Sequence, residues 1–211
     1  MMRILSVMFK NILSPNQVKI LPLVKCFSGG FYLVGGTAIA LQIGHRQSID
    51  FDLFSFKPIN REKIKKVIAD NELDYEVIFE DGDQLHGIIS DTKMTFYEYP
   101  YPIEHGMKFE EIISMPSLLT LGAMKVFALG QRAKWKDYVD VYFLLKNHFT
   151  LEQISDEAEK IFEGGFNAKL LRQQLLYYAD VDYREPIEYV VDQVPNEEIE
   201  KFLTTVATEK I

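Results

Sequence analysis

The sequence predicts an α+β chain: a small mixed sheet with helices, followed by a C-terminal helical domain. Three observations lead there. Residues 31–56, FYLVGGTAIALQIGHRQSIDFDLFSF, read as strand, glycine pair, short helix, turn and strand. Residues 75–99 carry three more short runs, split at Asp81-Gly82-Asp83 and at Asp91-Thr92. From Met115 onward the apolar residues recur at helical spacing. The division is set between residues 15–112 and 113–211.

Taken in order, Pro15 to Phe27 has helical spacing, with Pro22 as a kink or break. Cys26 falls in this stretch and is expected to be a buried structural thiol. Phe31 to Val34 is a short apolar run that Gly35-Gly36 interrupts. Thr37 is suited to cap a helix over Ala38–Ile43, and Gly44 stops it. Residues 49–54 then alternate. A period of two puts Asp50 and Asp52 on one strand face and Ile49, Phe51 and Leu53 on the other. Asn60 caps a helix from Arg61 to about Asn71, with Ile64, Val67 and Ile68 along one side. Tyr75–Phe79, Leu85–Ser90 and Lys93–Tyr99 are the remaining strands, the first two joined by a hairpin. Tyr97 to Pro102, rich in tyrosine and proline, ends the sheet.

The second half predicts a helix to about Leu129, an interruption at Gly130-Gln131, and a helix over Trp135–Lys146. Thr150 caps the next, which Gly164-Gly165 ends. Lys169–Ala179 and Glu197–Ala207 follow. Trp135 is read as helix packing in preference to a base-stacking site.

Two carboxylates on one strand face repel each other and raise each other's pKa. A hard divalent cation between them removes that cost, so Asp50 and Asp52 are candidate Mg²⁺ ligands, with Mn²⁺ as a substitute. A glycine turn opening a helix offers backbone N–H groups that have no helical partner and can hold a phosphate. A glycine turn or an Asp-x-Asp strand alone is more often structural. Together, in this order and with thirteen residues between Gly36 and Asp50, they point to phosphoryl or nucleotidyl transfer.

The pattern resembles the polymerase-β-type nucleotidyltransferase superfamily. More narrowly, LVGGTAIALQIGHRQSIDFDLF is similar to the AbiEii/AbiGii toxin family, through Gly35, Gly36, Thr37, Arg46, Ser48, Asp50 and Asp52. MKVFALGQRAKWKDYVDVYFLLK resembles the same family, through Lys125, Arg132, Lys134, Lys136, Asp137 and Asp140. If one helix ran through it, Arg132, Lys136 and Asp140 would share a face.

The resemblance implies a nucleotidyltransferase domain followed by the helical domain, with Lys125 to Asp140 as the far wall of a cleft. Asp50 and Asp52 would bind Mg²⁺. Gly35, Gly36, Thr37 and Ser48 would meet the phosphates of an NTP. Lys125, with Arg46 or Arg132, would meet the charge of the leaving pyrophosphate. Asp137 or Asp140 would orient Lys125 or act as general base. The superfamily often carries a third carboxylate on a later strand. Here Thr95 stands where it is expected, and Glu98, the nearest acid, alternates to the opposite face. The histidines other than His45 are read as surface or core residues.

The implied biology is a toxin of a toxin–antitoxin or abortive-infection system, with a cognate antitoxin and tRNA or another RNA as acceptor. Two other readings stay open. One is a catalytically silent member that binds a nucleotide or a protein. The other is a small-molecule transferase of the antibiotic-modifying kind.

Composition bounds these readings. Across 211 residues, 47% are hydrophobic and 26% charged, as in an ordinary soluble globular chain. The net charge of −8 argues against a broad nucleic-acid-coating surface while allowing a local basic patch. The single cysteine excludes an intramolecular disulfide and suits a reducing cytoplasm. No run is long enough to span a membrane, and residues 1–13 lack the features of a signal peptide.

Overall fold

The computed structural model describes residues 8–209, so the first seven residues of the N-terminal stretch weighed as a leader lie outside it. The chain forms two compact units, the first ending at Ser117 and the second beginning at Leu118. Among the described residues no helix is long and apolar enough to cross a membrane.

In the first unit, α1 (Pro15–Lys19) opens on a capping box. Gln17 N–H donates to Ser14 Oγ at 3.2 Å, and Ser14 N–H donates to Gln17 Oε1 at 2.9 Å. The chain breaks at Ile20 and restarts as α2 (Leu21–Cys26), with Pro22 in its first turn, where a missing N–H costs nothing. Cys26 is exposed, contrary to the expectation of a buried thiol. The helix turns Leu21, Leu23 and Val24 inward and leaves Cys26 outside.

Five strands form a mixed sheet: β1 (Tyr32–Val34), β2 (Asp50–Ser55), β3 (Tyr75–Glu80), β4 (Gln84–Ile89) and β5 (Thr92–Glu98), in the order β1-β2-β5-β4-β3. The β2–β5 pair is parallel and the others antiparallel. The helix α3 (Gly35–Ile43) joins β1 to β2, and α4 (Arg61–Asp70), capped by Asn60, joins β2 to β3. One sheet face is closed by apolar rows. Phe51 stands opposite Met94, and Leu53, Phe96 and Leu85 stand in line, all buried. The other face carries the polar alternates of the same strands. Ile49 does not join the closed face; it precedes β2 and is 63% exposed.

Two further details of the first unit differ from expectation. The β4–β5 turn is Ser90-Asp91, one residue earlier than read, with φ of 44° and 60°. A second small sheet, β6 (Met107–Phe109) with β7 (Ile113–Met115), takes in Met115, where helical spacing was expected to begin. The first helix of the second unit therefore begins only at Leu118.

The second unit is helical: α5 (Leu118–Leu129), α6 (Trp135–Asn147), α7 (Leu151–Ile161), α8 (Ala168–Gln174) and α9 (Asn196–Thr208). A methyl on Gly122 of α5 would meet Ile154 and Leu144 at 3.5 Å, so α7 packs closely there. Thr150 caps α7 as expected, and Gln153 completes a capping box with it. Trp135 is buried against Tyr138 and Tyr183, which bears out its packing role. The helix predicted to reach Ala179 is shorter: α8 is capped by Asn167 and ends at Gln174.

Candidate functional site

On β2, Asp50 and Asp52 lie on the open face and are half-buried, while Phe51 and Leu53 between and beyond them are fully buried. The alternation in the sequence produces this directly. Beside them β1 ends and α3 begins. Val34 pairs with Asp52 in the antiparallel register, and Gly35 follows with φ of +73°.

The glycine pair is the first turn of α3 and does not precede it. A Cβ on Gly35 would stand 2.2 Å from Asp52 Oδ2, so the carboxylate packs against the bare α-carbon. A Cβ on Gly36 would stand 2.6 Å from Arg46 Nη2 and 3.0 Å from Ser48 Oγ. Both glycines therefore make room for the protein's own polar side chains.

Thr37 does not cap α3; the N-cap is Val34, which makes no side-chain cap bond. Buried in the first turn, Thr37 bonds through its hydroxyl to the Asp50 carbonyl, and that hydroxyl lies 3.0 Å from Ser48 Oγ. Gln17, fully buried, donates from Nε2 to the Ser48 carbonyl at 2.8 Å. Two helices thus pin the loop that carries Arg46 and Ser48. Arg46 itself is buried and donates from Nη1 to the Gln47 carbonyl at 2.8 Å. Gln17 was not foreseen. Its capping box was legible, but its reach to Ser48 crosses 31 residues of chain.

Across the sheet, Asp52 stands opposite Thr95, and Thr95 opposite His86. Thr95 thus occupies the place beside Asp52 where a third carboxylate was sought. The β2–β5 register runs unbroken to Ser55 opposite Glu98, so no bulge brings Glu98 to the open face. His86 Nδ1 lies 3.3 Å from Thr95 Oγ1, and its Nε2 lies 2.8 Å from Gln84 Oε1. Burial pushes its pKa below the ordinary value. Lys93 acts the same way, while Asp52 and Asp81 oppose it. Reading the β4–β5 turn one residue earlier would have paired His86 with Thr95 in advance.

The remaining predicted residues belong to the second unit. Lys125 on α5 is buried, and its Nζ lies 2.7 Å from Asp137 Oδ1 and 3.0 Å from Asp140 Oδ2. Both carboxylates are on α6, three residues apart and fully buried. Arg132 precedes α6, so the continuous face with Lys136 and Asp140 does not form. It still reaches Asp137, Nε to Oδ2, at 3.0 Å. Lys136 turns instead to Glu185, as does Lys134 at 2.9 Å. Burial pushes the Asp137 carboxyl up, but the Lys125 and Arg132 charges outweigh it and hold the pKa below the ordinary value. Lys134 and Lys136 likewise overcome burial at Glu185 and bring its pKa down to about 2.

The open-face carboxylates suit magnesium, which is commonly held by one or two carboxylates together with substrate phosphates and water. Among the described residues no cluster of three or more histidine, cysteine or acidic side chains forms a denser metal site.

Comparison with known proteins identifies the family and the fold. A family described as nucleotidyl transferase AbiEii toxin, type IV TA system, matches residues 27–74 and 96–207. An uncharacterized protein of Aquifex aeolicus (strain VF5) is 30% identical over 177 residues, covering 82% of this chain and 84% of its own. Among solved structures, the nucleotidyltransferase toxin MenT4 of Mycobacterium tuberculosis H37Rv aligns with a TM-score of 0.56 at 14% identity, over 90% of this chain and 81% of its own. JHP933 of Helicobacter pylori aligns with a TM-score of 0.53 at 18% identity, over 95% and 91%. These structural likenesses show the shared fold. The family match spans both glycine–carboxylate and lysine–carboxylate motifs, and the chain belongs to the AbiEii nucleotidyl transferase toxin family of type IV toxin–antitoxin systems.

Proposed function

We propose that the chain transfers a nucleoside monophosphate from an NTP to an acceptor hydroxyl, as the toxin partner of a cognate antitoxin. The single observation that carries this reading is the placing of the Asp52 carboxylate on the α-carbon of Gly35, with Asp50 on the same strand face. The proposed metal ligands and the start of a helix thereby share one spot.

Asp50 and Asp52 would hold Mg²⁺, which supplies charge neutralisation at the reacting phosphates. The first turn of α3, with N–H groups that no helical carbonyl accepts, offers donors to phosphate oxygens. Arg46 lies against Gly36 and adds positive charge there. Ser48, pinned by Gln17 and Thr37, keeps its loop in one position and so lowers the ordering cost of binding. Within the second unit Asp137 and Asp140 orient Lys125, the residue assigned to the developing pyrophosphate charge. Preorganised charge of this kind is the main source of rate in such transfers.

The acceptor to test first is RNA, tRNA within it. Incubation with each α-labelled NTP and total RNA should label RNA only when Mg²⁺ or Mn²⁺ is present. Asp50→Ala should abolish the labelling, and retention of full transfer by that variant would reject the site.

One observation favours a second reading, a nucleotide-binding member without turnover: Thr95, which cannot ionise, stands beside Asp52. NTP binding in a calorimeter with no label transferred to RNA or protein would select it.

A further inference from the structure

The nucleotidyl-transfer reading leaves the proton of the acceptor hydroxyl without a destination on the first unit. Thr95, at the register position of the absent carboxylate, is not a base by itself. It does not act alone. The row Asp52, Thr95, His86 crosses three adjacent strands on the open face, and the last two are joined through Thr95 Oγ1 and His86 Nδ1 at 3.3 Å.

The roles along this row are fixed by its far end. Gln84 Oε1 is an amide oxygen and can only accept, so the imidazole proton is on Nε2. Nδ1 then carries a lone pair, and the Thr95 hydroxyl donates to it. Gln84 precedes His86 by two residues on β4, so the strand's own period puts both side chains on the same face. Phe79 of β3 stands opposite His86, its ring centre 5.8 Å from the imidazole.

We propose that the chain Thr95–His86–Gln84 replaces the third carboxylate as the proton acceptor for the attacking hydroxyl, a proposal that rests on the nucleotidyl-transfer reading above. The acceptor oxygen forms its bond to the α-phosphorus and gives its proton to Thr95 Oγ1. Thr95 in the same step gives its own proton to His86 Nδ1, and Gln84 stabilises the imidazolium through Nε2–H. The bond from the α-phosphorus to the bridging oxygen breaks, and its electron pair leaves with pyrophosphate. The imidazolium proton is then lost to solvent.

The surroundings keep the imidazole neutral beforehand. Burial and Lys93 of β5 disfavour its charged form, against the opposing charges of Asp52 on β2 and Asp81 in the β3–β4 turn. His86 acts through Thr95 and is a positioning and relay residue; Thr95 is the group that meets the acceptor.

The test has two arms. In the first, turnover of α-labelled NTP is followed against pH for wild type, Thr95→Val, His86→Gln, Thr95→Asp and the Thr95→Asp/His86→Gln double variant. Loss of a general base lowers kcat by about 10²–10⁴-fold, and this is expected for Thr95→Val and His86→Gln. His86→Gln should also erase the acidic limb of the pH profile. Thr95→Asp restores an ionisable acceptor, so it should restore turnover in the His86→Gln background. An active wild type with a His86→Gln variant of equal rate and unshifted profile overturns the relay alone. A wild type that transfers nothing from any NTP overturns the nucleotidyl-transfer reading and the relay with it. In the second arm, ¹⁵N NMR of the imidazole, without metal or nucleotide, should show the Nε2–H tautomer near pH 7.5 and a shifted Nδ1 resonance in Thr95→Val. An Nδ1-protonated or charged ring overturns the relay whatever the activity.

Discussion

The Asp52 carboxylate rests on Gly35: a methyl group at that α-carbon would come within 2.2 Å of Oδ2. The relation ties β2 to the start of α3 through van der Waals contact. It also explains why the glycine pair precedes an Asp-x-Asp strand, independently of any ligand. Gly35 additionally holds φ of +73°, a conformation that side chains resist.

Gly35→Ala should therefore destabilise the chain by about 1–3 kcal/mol, from left-handed strain and a displaced carboxylate together. Gly36→Ala should cost less. Its added methyl meets only the outer atoms of Arg46 and Ser48, and its backbone is unstrained. Urea unfolding of the two variants checks the order, and an equal cost for both would refute the strain argument.

Asp50→Ala and Asp52→Ala should each lower Mg²⁺-dependent NTP turnover by about 10³-fold or more, the scale of removing a preorganised electrostatic element. Far-UV circular dichroism should stay that of the wild type, since both side chains lie on the open face of β2 while Phe51 and Leu53 hold its core. Residual turnover within tenfold of wild type would remove the carboxylates from the chemistry.

How far the sequence foretold this site depends on the range of each signal. The alternation at Asp50 and Asp52 and the caps at Asn60 and Thr150 are local patterns, and each stands as read. The row from Asp52 to His86 needed the β4–β5 register, set by a two-residue turn. Such turns with positive φ usually announce themselves by Asn-Gly or Asp-Gly. Here Ser90-Asp91 does the job without glycine, so the turn was placed one residue late and the pairing shifted by two. The small β6–β7 sheet has three-residue strands, too short for periodicity to show. The interruption after Leu129 and the helix start at Trp135 stand as read and leave Arg132 between the helices; only the alternative of one continuous helix fails.

Lys125 pairs with two buried carboxylates at once, and Arg132 brings a second positive charge to Asp137. Lys125→Met should leave Asp137 and Asp140 facing each other out of water and cost about 3–5 kcal/mol in the unfolding of the helical unit. If Lys125 served only a bound triphosphate, the variant would melt as wild type does, and a thermal scan separates the two cases. The surface ion pair of Lys65 with Glu80, 2.8 Å apart, is the comparison. Glu80→Gln, which removes a solvent-screened pair, should leave the thermal midpoint almost unchanged.

Asp137 also sets an acid limit on the second unit. Its folded pKa is held below the ordinary aspartate value by Lys125 and Arg132 in spite of burial. A group with a depressed folded pKa stabilises the fold in full above its unfolded value, about 4, and the stabilisation disappears as pH falls through the folded value. Below both values the carboxyl is protonated in either state and the contribution is gone. Asp137→Asn lacks this titration. At pH 7 it should be less stable than wild type by about 1–3 kcal/mol, the scale of breaking a buried charged hydrogen bond. The difference between the two should hold from pH 7 to about 5 and narrow steadily below about 4. Urea midpoints of wild type and variant measured from pH 7 to 3 give the comparison directly. A gap that stays constant down to pH 3 would mean that the Lys125–Asp137 ion pair contributes nothing that protonation can remove.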